Sequence, residues 1–340
     1  MMISGTMTIG ELGRIPSLSK VKDFIFTNLD DEKYESQLQQ YGIEQSRLIE
    51  ALEYTAKRCE AEDFVLSIYS GEKPSSDAGK AGKYKMIYDK ADVCLLNYAV
   101  HPGKPYILVC PGGGYNREWV LVEGYPLAMR INELGYNAFI LIYRTGKTGL
   151  FPEPLEDYAA AVNYIEKHKE ELQVETEGYA VTGASAGGHL CSMWGTKQKG
   201  YEAYGAAKPK AMLLSYPAPV LSMFYEIYEK CVENKDTAGA EGQAALLRRV
   251  GGADFDRDKI GVYSLENLID KDYPPTYFVH AEDDPVVPIV TGRRFEALLE
   301  QYGIRKEVHI VGHAGHSFGL GIGTDAEGWL EYAVRFWQSL

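Results

Sequence analysis

From about residue 85 onward, short apolar runs alternate with amphipathic stretches. Val93 to Tyr98, Tyr106 to Cys110, Ala138 to Tyr143, Tyr179 to Thr182, Ala211 to Ser215, Tyr277 to His280 and Val308 to Val311 are candidate strands. Their apolar continuity, rather than a strict in-out alternation, fits strands covered on both faces. Between them, Tyr125 to Leu134, Leu155 to Lys169, Val290 to Tyr302 and Ala326 to Ser339 carry helical spacing. Strands alternating with helices predict an α/β fold, with a mostly parallel sheet flanked by helices.

Two stretches interrupt this alternation. Residues 1–84 are expected to form a helical N-terminal extension with a linker. Asp31 to Glu60 places Leu38, Tyr41, Ile43, Leu48, Leu52 and Tyr54 at near-helical spacing, and Ser70 to Gly82 is rich in Gly, Ser and Lys. A dimerisation arm, a lid and a small second domain are the three readings of this extension. Residues 219–273 read as an insertion in the domain spanning 85–340, with helical pieces and the glycine pair of Val250-Gly251-Gly252-Ala253. It is either a cap over a site or a surface excursion.

The candidate chemistry begins at Gly183-Ala184-Ser185-Ala186-Gly187, which follows the apolar run Tyr179 to Thr182 and precedes a helical stretch. Strand, sharp turn and helix form the context in which such a serine exposes its hydroxyl as a nucleophile. A serine hydroxyl is a weak nucleophile at neutral pH. It needs a base, a group that orients the base, and donors for the developing oxyanion. Upstream, Pro105 to Cys110 runs into Pro111-Gly112-Gly113-Gly114-Tyr115. Gly113 and Gly114 are expected to offer backbone amides to an oxyanion, and Ala186, at a helix N-terminus, a third. A phosphate cradle is disfavoured, because no G-x-G-x-x-G spacing and no Lys-Ser/Thr pair follows. Tyr115 and Trp119 lie close enough to this loop to line a substrate pocket.

The orienting acid is sought after a later strand, where Glu282-Asp283-Asp284-Pro285 follows Tyr277 to His280. Asp284 is favoured because it leads directly into the Pro-Val-Val-Pro turn, with Asp283 as the alternate. Beyond Val311, the loop Gly312-His313-Ala314-Gly315-His316-Ser317-Phe318 carries two histidines. His316 is the expected base and His313 the alternate, while His309 reads as a packed strand residue. A metal site built from His309, His313 and His316 is disfavoured, since a strand running into a glycine loop does not place them on one helical face. No metal and no cofactor is expected.

Serine, then aspartate, then histidine is one of several known orders for such a triad. From about residue 85, the chain resembles an α/β-hydrolase of the esterase/lipase superfamily. More narrowly, it resembles acetyl-xylan-esterase-like carbohydrate esterases, a group that includes bacterial feruloyl-type esterases. The resemblance rests on Cys110-Pro111-Gly112-Gly113-Gly114-Tyr115, Leu134-Gly135-Tyr136-Asn137-Ala138, Leu141-Ile142-Tyr143-Arg144, Tyr273-Pro274-Pro275-Thr276, Asp284-Pro285-Val286-Val287-Pro288 and Gly315-His316-Ser317-Phe318-Gly319-Leu320. Ser317 stands where such enzymes often carry glycine, and Pro111 where many lipases carry histidine. The resemblance implies an α/β-hydrolase fold and hydrolysis of short-chain acyl esters, among them acetyl groups on carbohydrates such as xylan oligosaccharides. The rival readings are a prolyl-oligopeptidase-like exopeptidase, an arylformamidase and a catalytically silent binding protein on the same scaffold.

Charge and composition narrow the partners. A net charge of −13 disfavours nucleic acid and anionic membranes, leaving a small-molecule or oligosaccharide ester as the expected partner, with homo-oligomerisation through the extension as a candidate. The five cysteines are widely spaced, lack a C-x-x-C and read as reduced thiols. The N-terminal residues lack a basic region followed by a sustained apolar one, so a cytoplasmic enzyme is the expectation.

Overall fold

The computed structural model describes residues 3–25, 36–38, 40, 45–69 and 87–340. Among the described residues, eight strands form one sheet: β1 (Val65–Ser67), β2 (Cys94–Tyr98), β3 (Lys104–Cys110), β4 (Asn137–Ile142), β5 (Val174–Ala184), β6 (Ala211–Ser215), β7 (Thr276–Ala281) and β8 (Lys306–Val311). Their order is β1-β2-β4-β3-β5-β6-β7-β8. β1 and β2 run antiparallel to their neighbours, and β4, β3, β5, β6, β7 and β8 run parallel. Every residue of β2, β4, β6 and β7 is buried, as their unbroken apolar runs require, whereas the edge strand β8 is half-buried throughout.

Among the described residues, eight helices have nine or more residues: α1 (Gln45–Arg58), α2 (Tyr125–Glu133), α3 (Glu153–Lys167), α4 (Ser185–Trp194), α5 (Leu221–Glu233), α6 (Thr237–Gly251), α7 (Ile289–Gln301) and α8 (Trp329–Gln338). Local sequence explains their placement. α3 opens with Glu153, Pro154 and Glu156, suited to the first turn, and buries Leu155, Tyr158, Val162 and Ile165 along one stripe. α8 turns Trp329, Leu330, Ala333, Val334 and Trp337 inward and packs against β6 and β7.

The described part of residues 1–84 contributes β1 and α1, and α1 packs on α2. Buried side chains from this segment, such as Leu12, Leu48 and Phe64, belong to the same apolar cluster as the sheet. Within the expected helical stretch from Asp31 to Glu60, the described helix is α1. The linker-like stretch from Ser70 to Gly82 lies outside the described residues. Residues 219–273, expected as an insertion, contain α5, α6 and a short helix, Arg257–Gly261, packed on one another.

The parallel register aligns the strand ends that matter. Cys110 of β3 is opposite Gly183 of β5, Ala184 is opposite Ser215 of β6, and Ala281 of β7 is opposite Val311 of β8. The connections leaving β3, β5, β7 and β8 therefore emerge along one edge, where open parallel sheets place their sites.

Candidate active site

Ser185 is the first residue of α4 and follows β5 with no intervening loop. Its φ of 52° lies in the left-handed region, which side-chain-bearing residues enter only when their surroundings enforce it. The enforcement is visible at Gly187, where a Cβ would sit 2.1 Å from the Cys110 carbonyl oxygen. The start of α4 thus lies directly against the end of β3, with no room for a side chain between them.

His316 and Asp284 reach Ser185 from the loops after β8 and β7. His316 Nε2 is 3.1 Å from Ser185 Oγ, and His316 Nδ1 is 2.7 Å from Asp284 Oδ2. A carboxylate can only accept, so Nδ1 carries the proton and Nε2 is free to accept from the serine hydroxyl. Asp284 Oδ1 accepts from the amides of Val286 (2.8 Å) and Val287 (2.9 Å), while His280 Nε2 lies 3.3 Å from Oδ2. Burial raises the Asp284 carboxyl. The hydrogen bonds from His280, His316 and Val287, together with the charge on His316, outweigh it and hold the group well below the usual carboxylate range.

Asp283 points elsewhere. Its Oδ1 accepts from the amides of Ala314 (3.1 Å) and Gly315 (2.9 Å), and its Oδ2 faces the exposed His313 at 3.4 Å. The adjacent aspartates thus divide the work: Asp284 meets the imidazole, and Asp283 holds the loop that carries it. His309 stays on β8, hydrogen-bonded to Glu307 and packed between the rings of Tyr277 and Tyr332. No group of three or more His, Cys, Asp or Glu side chains suited to a metal ion occurs among the described residues.

The glycine loop after β3 lies beside Ser185. Gly113 has φ 128°, and a Cβ there would meet the Arg117 carbonyl oxygen at 2.2 Å. Trp119 donates to the Gly112 carbonyl, Asn116 and Arg117 donate to that of Gly113, and the Tyr143 hydroxyl donates to that of Pro111 at 2.6 Å. The carbonyls of Pro111, Gly112 and Gly113 are thus engaged by the protein. Ala186, second in α4, has an amide with no partner inside its own helix.

A buried carboxylate, Glu123, ties this loop to the histidine loop. It accepts from the Gly112 amide at 2.7 Å and from the Tyr216 hydroxyl at 3.1 Å, and it hydrogen-bonds Ser317. Burial pushes its carboxyl up, and nearby His316 and these donors offset part of the rise. Ser317 has φ 56°, where glycine is at ease, and its hydroxyl contact with Glu123 gives this departure from the family pattern a structural use. Sequence reading did not single out Glu123. Arg144, by contrast, is buried in ion pairs with Glu153, Glu156 and Asp157, away from the cleft.

A cavity of about 430 Å³ opens beside Ser185 and His316. Gly113, Gly114, Ala186, Tyr115 and Trp119 border it, as do Leu221 and Phe224 of α5 and Leu246 of α6. The insertion therefore walls the cavity. Tyr115 is fully buried, and its ring meets Phe151 and His189 edge-on. His189 Nε2 must donate to the Tyr263 carbonyl at 2.7 Å, so its Nδ1 accepts from the Tyr115 hydroxyl at 2.6 Å. Burial pushes His189 down to about 4, fixing it as a neutral bridge between the glycine loop and the insertion.

The chain is similar to several known proteins. It is 29% identical over 242 residues to endo-1,4-beta-xylanase B of Butyrivibrio fibrisolvens, covering 67% of this chain and 35% of that protein. It is 28% identical over 252 residues to an acetylxylan esterase of Xylanibacter ruminicola, covering 73% and 46%. The chain thus spans between a third and a half of the length of these relatives. Among solved structures, it resembles an acetyl ester-xyloside bifunctional hydrolase from Caldicellulosiruptor lactoaceticus, with a TM-score of 0.61, 25% identity and coverage of 81% and 95%. The model of the BD-FAE family matches residues 92–299, which run from the start of β2 through most of α7 and include both Ser185 and Asp284. With the sheet order of an α/β-hydrolase and a match over more than half its length, the chain belongs to the BD-FAE family.

Proposed function

We propose that this protein is a serine carboxylic-ester hydrolase acting by two-step acyl transfer. His316 takes the hydroxyl proton of Ser185 as Oγ attacks the ester carbonyl carbon. The amides of Gly113, Gly114 and Ala186 hold the oxyanion, and the proton passes from His316 to the departing alcohol. Water, deprotonated by His316, then attacks the acyl-enzyme and releases the acid and free Ser185. Asp284 keeps the imidazole in the required tautomer and stabilises its charged form without taking the proton. The observation that carries this reading is the Asp284-His316-Ser185 relay, with contacts of 2.7 and 3.1 Å at the edge of a cavity.

The substrates are short-chain acyl esters, with acetyl groups on carbohydrates such as xylan oligosaccharides as the leading class. Support comes from the similarity to an acetylxylan esterase and to an acetyl ester-xyloside hydrolase. The cavity has room for an acyl group together with part of its alcohol. The test is a panel of acetylated sugars, feruloyl esters, p-nitrophenyl esters of increasing chain length and N-formylkynurenine. Acetyl esters are expected to be preferred over chains of about eight carbons. Faster turnover of N-formylkynurenine than of every ester would overturn the assignment.

A further inference from the structure

The cavity wall holds one guanidinium whose setting the ester-hydrolase mechanism does not use. Arg249 lies in the last turn of α6, half-buried, and faces the cavity. Its side-chain hydrogen bond is to the neutral Asn116 Oδ1 at 2.7 Å. No Asp or Glu lines the cavity among the described residues. The groups felt most strongly by Arg249 are the Tyr88 phenol and a second cation, Arg117, and burial lowers its affinity for its proton. Its neighbour Arg248 satisfies the same helix terminus in the ordinary way, exposed and paired with Glu241. A helix C-terminus favours a cation, but that preference does not require the head group to face a cavity. In a chain of 48 acidic and 35 basic residues, a half-buried arginine without a carboxylate partner in the substrate cavity is the opposite of what composition provides by default.

We infer that Arg249 recognises a carboxylate on the substrate. The preferred ester then carries a negative charge next to the scissile bond. Both a uronic-acid unit on the alcohol side and a dicarboxylic half-ester on the acyl side offer that carboxylate. The guanidinium supplies paired N–H donors that match its two oxygens. Asn116 keeps the guanidinium in place from the loop that carries Gly113 and Gly114, so charge recognition and the oxyanion amides share one support. This inference rests on the ester-hydrolase reading of the same cavity and specifies what that cavity selects.

The experiment compares kcat/KM for matched pairs in the unaltered protein and in Arg249→Gln. On the acyl side the pair is p-nitrophenyl hemisuccinate and p-nitrophenyl butyrate. On the alcohol side it is an acetylated methyl glucuronoside and the acetylated methyl xyloside. For at least one pair the unaltered protein is expected to favour the anionic member by about 10- to 100-fold, after correction for the intrinsic reactivity of the two esters. That ratio should fall toward one in Arg249→Gln, and in the unaltered protein it should shrink as salt is raised from about 0.02 to 0.5 M. The arm that shows the preference identifies the source of the carboxylate. Hydrolysis of the neutral members with no charge preference in either arm would overturn this inference while leaving the hydrolase reading intact. A salt-independent preference, or one that survives in Arg249→Gln, would also overturn it. Absence of hydrolysis on all four substrates would defeat both readings.

Discussion

Replacing Glu123 by alanine probes how the two loops of the site are held together. The carboxylate accepts from the buried Gly112 amide at 2.7 Å and from the buried Tyr216 hydroxyl at 3.1 Å. Each donor stranded by truncation costs about 1–3 kcal/mol, giving roughly 2–6 kcal/mol for the pair. The carboxylate is itself costly to bury, as its raised pKa records, and its removal recovers part of that sum. The net loss is about 2–4 kcal/mol, a fall in Tm of roughly 3–6 °C for a chain of this size. Gly112 leads directly into Gly113, so kcat should drop about 10- to 100-fold, less than the removal of a whole oxyanion donor. Glu123→Gln keeps an acceptor for Gly112 and offers its amide to the Tyr216 oxygen, so it should lie within about 1 kcal/mol of the unaltered protein.

The pH dependence adds a second readout. A carboxyl whose folded pKa is raised contributes stability while it is neutral, below its unfolded pKa. That contribution is lost as pH rises through the folded value. The stability of the unaltered protein relative to Glu123→Gln should therefore decline as pH climbs above the usual carboxylate range. Differential scanning fluorimetry across pH, with steady-state kinetics on p-nitrophenyl acetate, measures all three effects. Unfolding of Glu123→Ala within 1 °C of the unaltered protein, together with turnover within twofold of it, would refute this role for Glu123.

Other outcomes follow from the same geometry. Asp284→Asn should lower kcat by about 10⁴-fold, because an amide group opposite Nδ1 favours the imidazole tautomer that cannot accept the serine proton; purified-variant kinetics check it. Asp283→Ala frees two backbone amides in an exposed loop and should cost about 10-fold in kcat, far less than the change at its neighbour. Gly113→Ala places a Cβ 2.2 Å from the Arg117 carbonyl oxygen at a φ of 128°, so the loop must shift. Its kcat should fall about 10²- to 10³-fold, with a folded circular-dichroism spectrum showing that the loss is local.

Much of the fold was legible because its strands are buried on both faces and read as unbroken apolar runs. Ala211 to Ser215 matches β6 end to end, and the other six runs fall on strands with ends differing by at most five residues. β1 was missed: three residues with one fully buried side chain leave no pattern to read. Apolar continuity also carries no direction, so the antiparallel run of β2 was invisible. Ser185, Asp284 and His316 could be nominated because each chemistry has a local signature of glycines, turn residues and strand ends. Glu123, His280 and Arg249 had none. Glu123 meets Tyr216 across 93 residues of sequence, and Arg249 meets Asn116 across 133, so their relevance exists only once the chain has folded.

In the proposed reaction, Ser185 Oγ is the atom acylated and His316 is its base. Rapid quenching of the protein during turnover of p-nitrophenyl acetate, followed by peptide mass spectrometry, tests it directly. A single acetyl group is expected on the peptide containing Ser185. The label should be absent in Ser185→Ala, and the rate of its formation should fall at least about 10³-fold in His316→Ala. Undiminished turnover in Ser185→Ala, or an acetyl group carried through turnover on another residue, would contradict it.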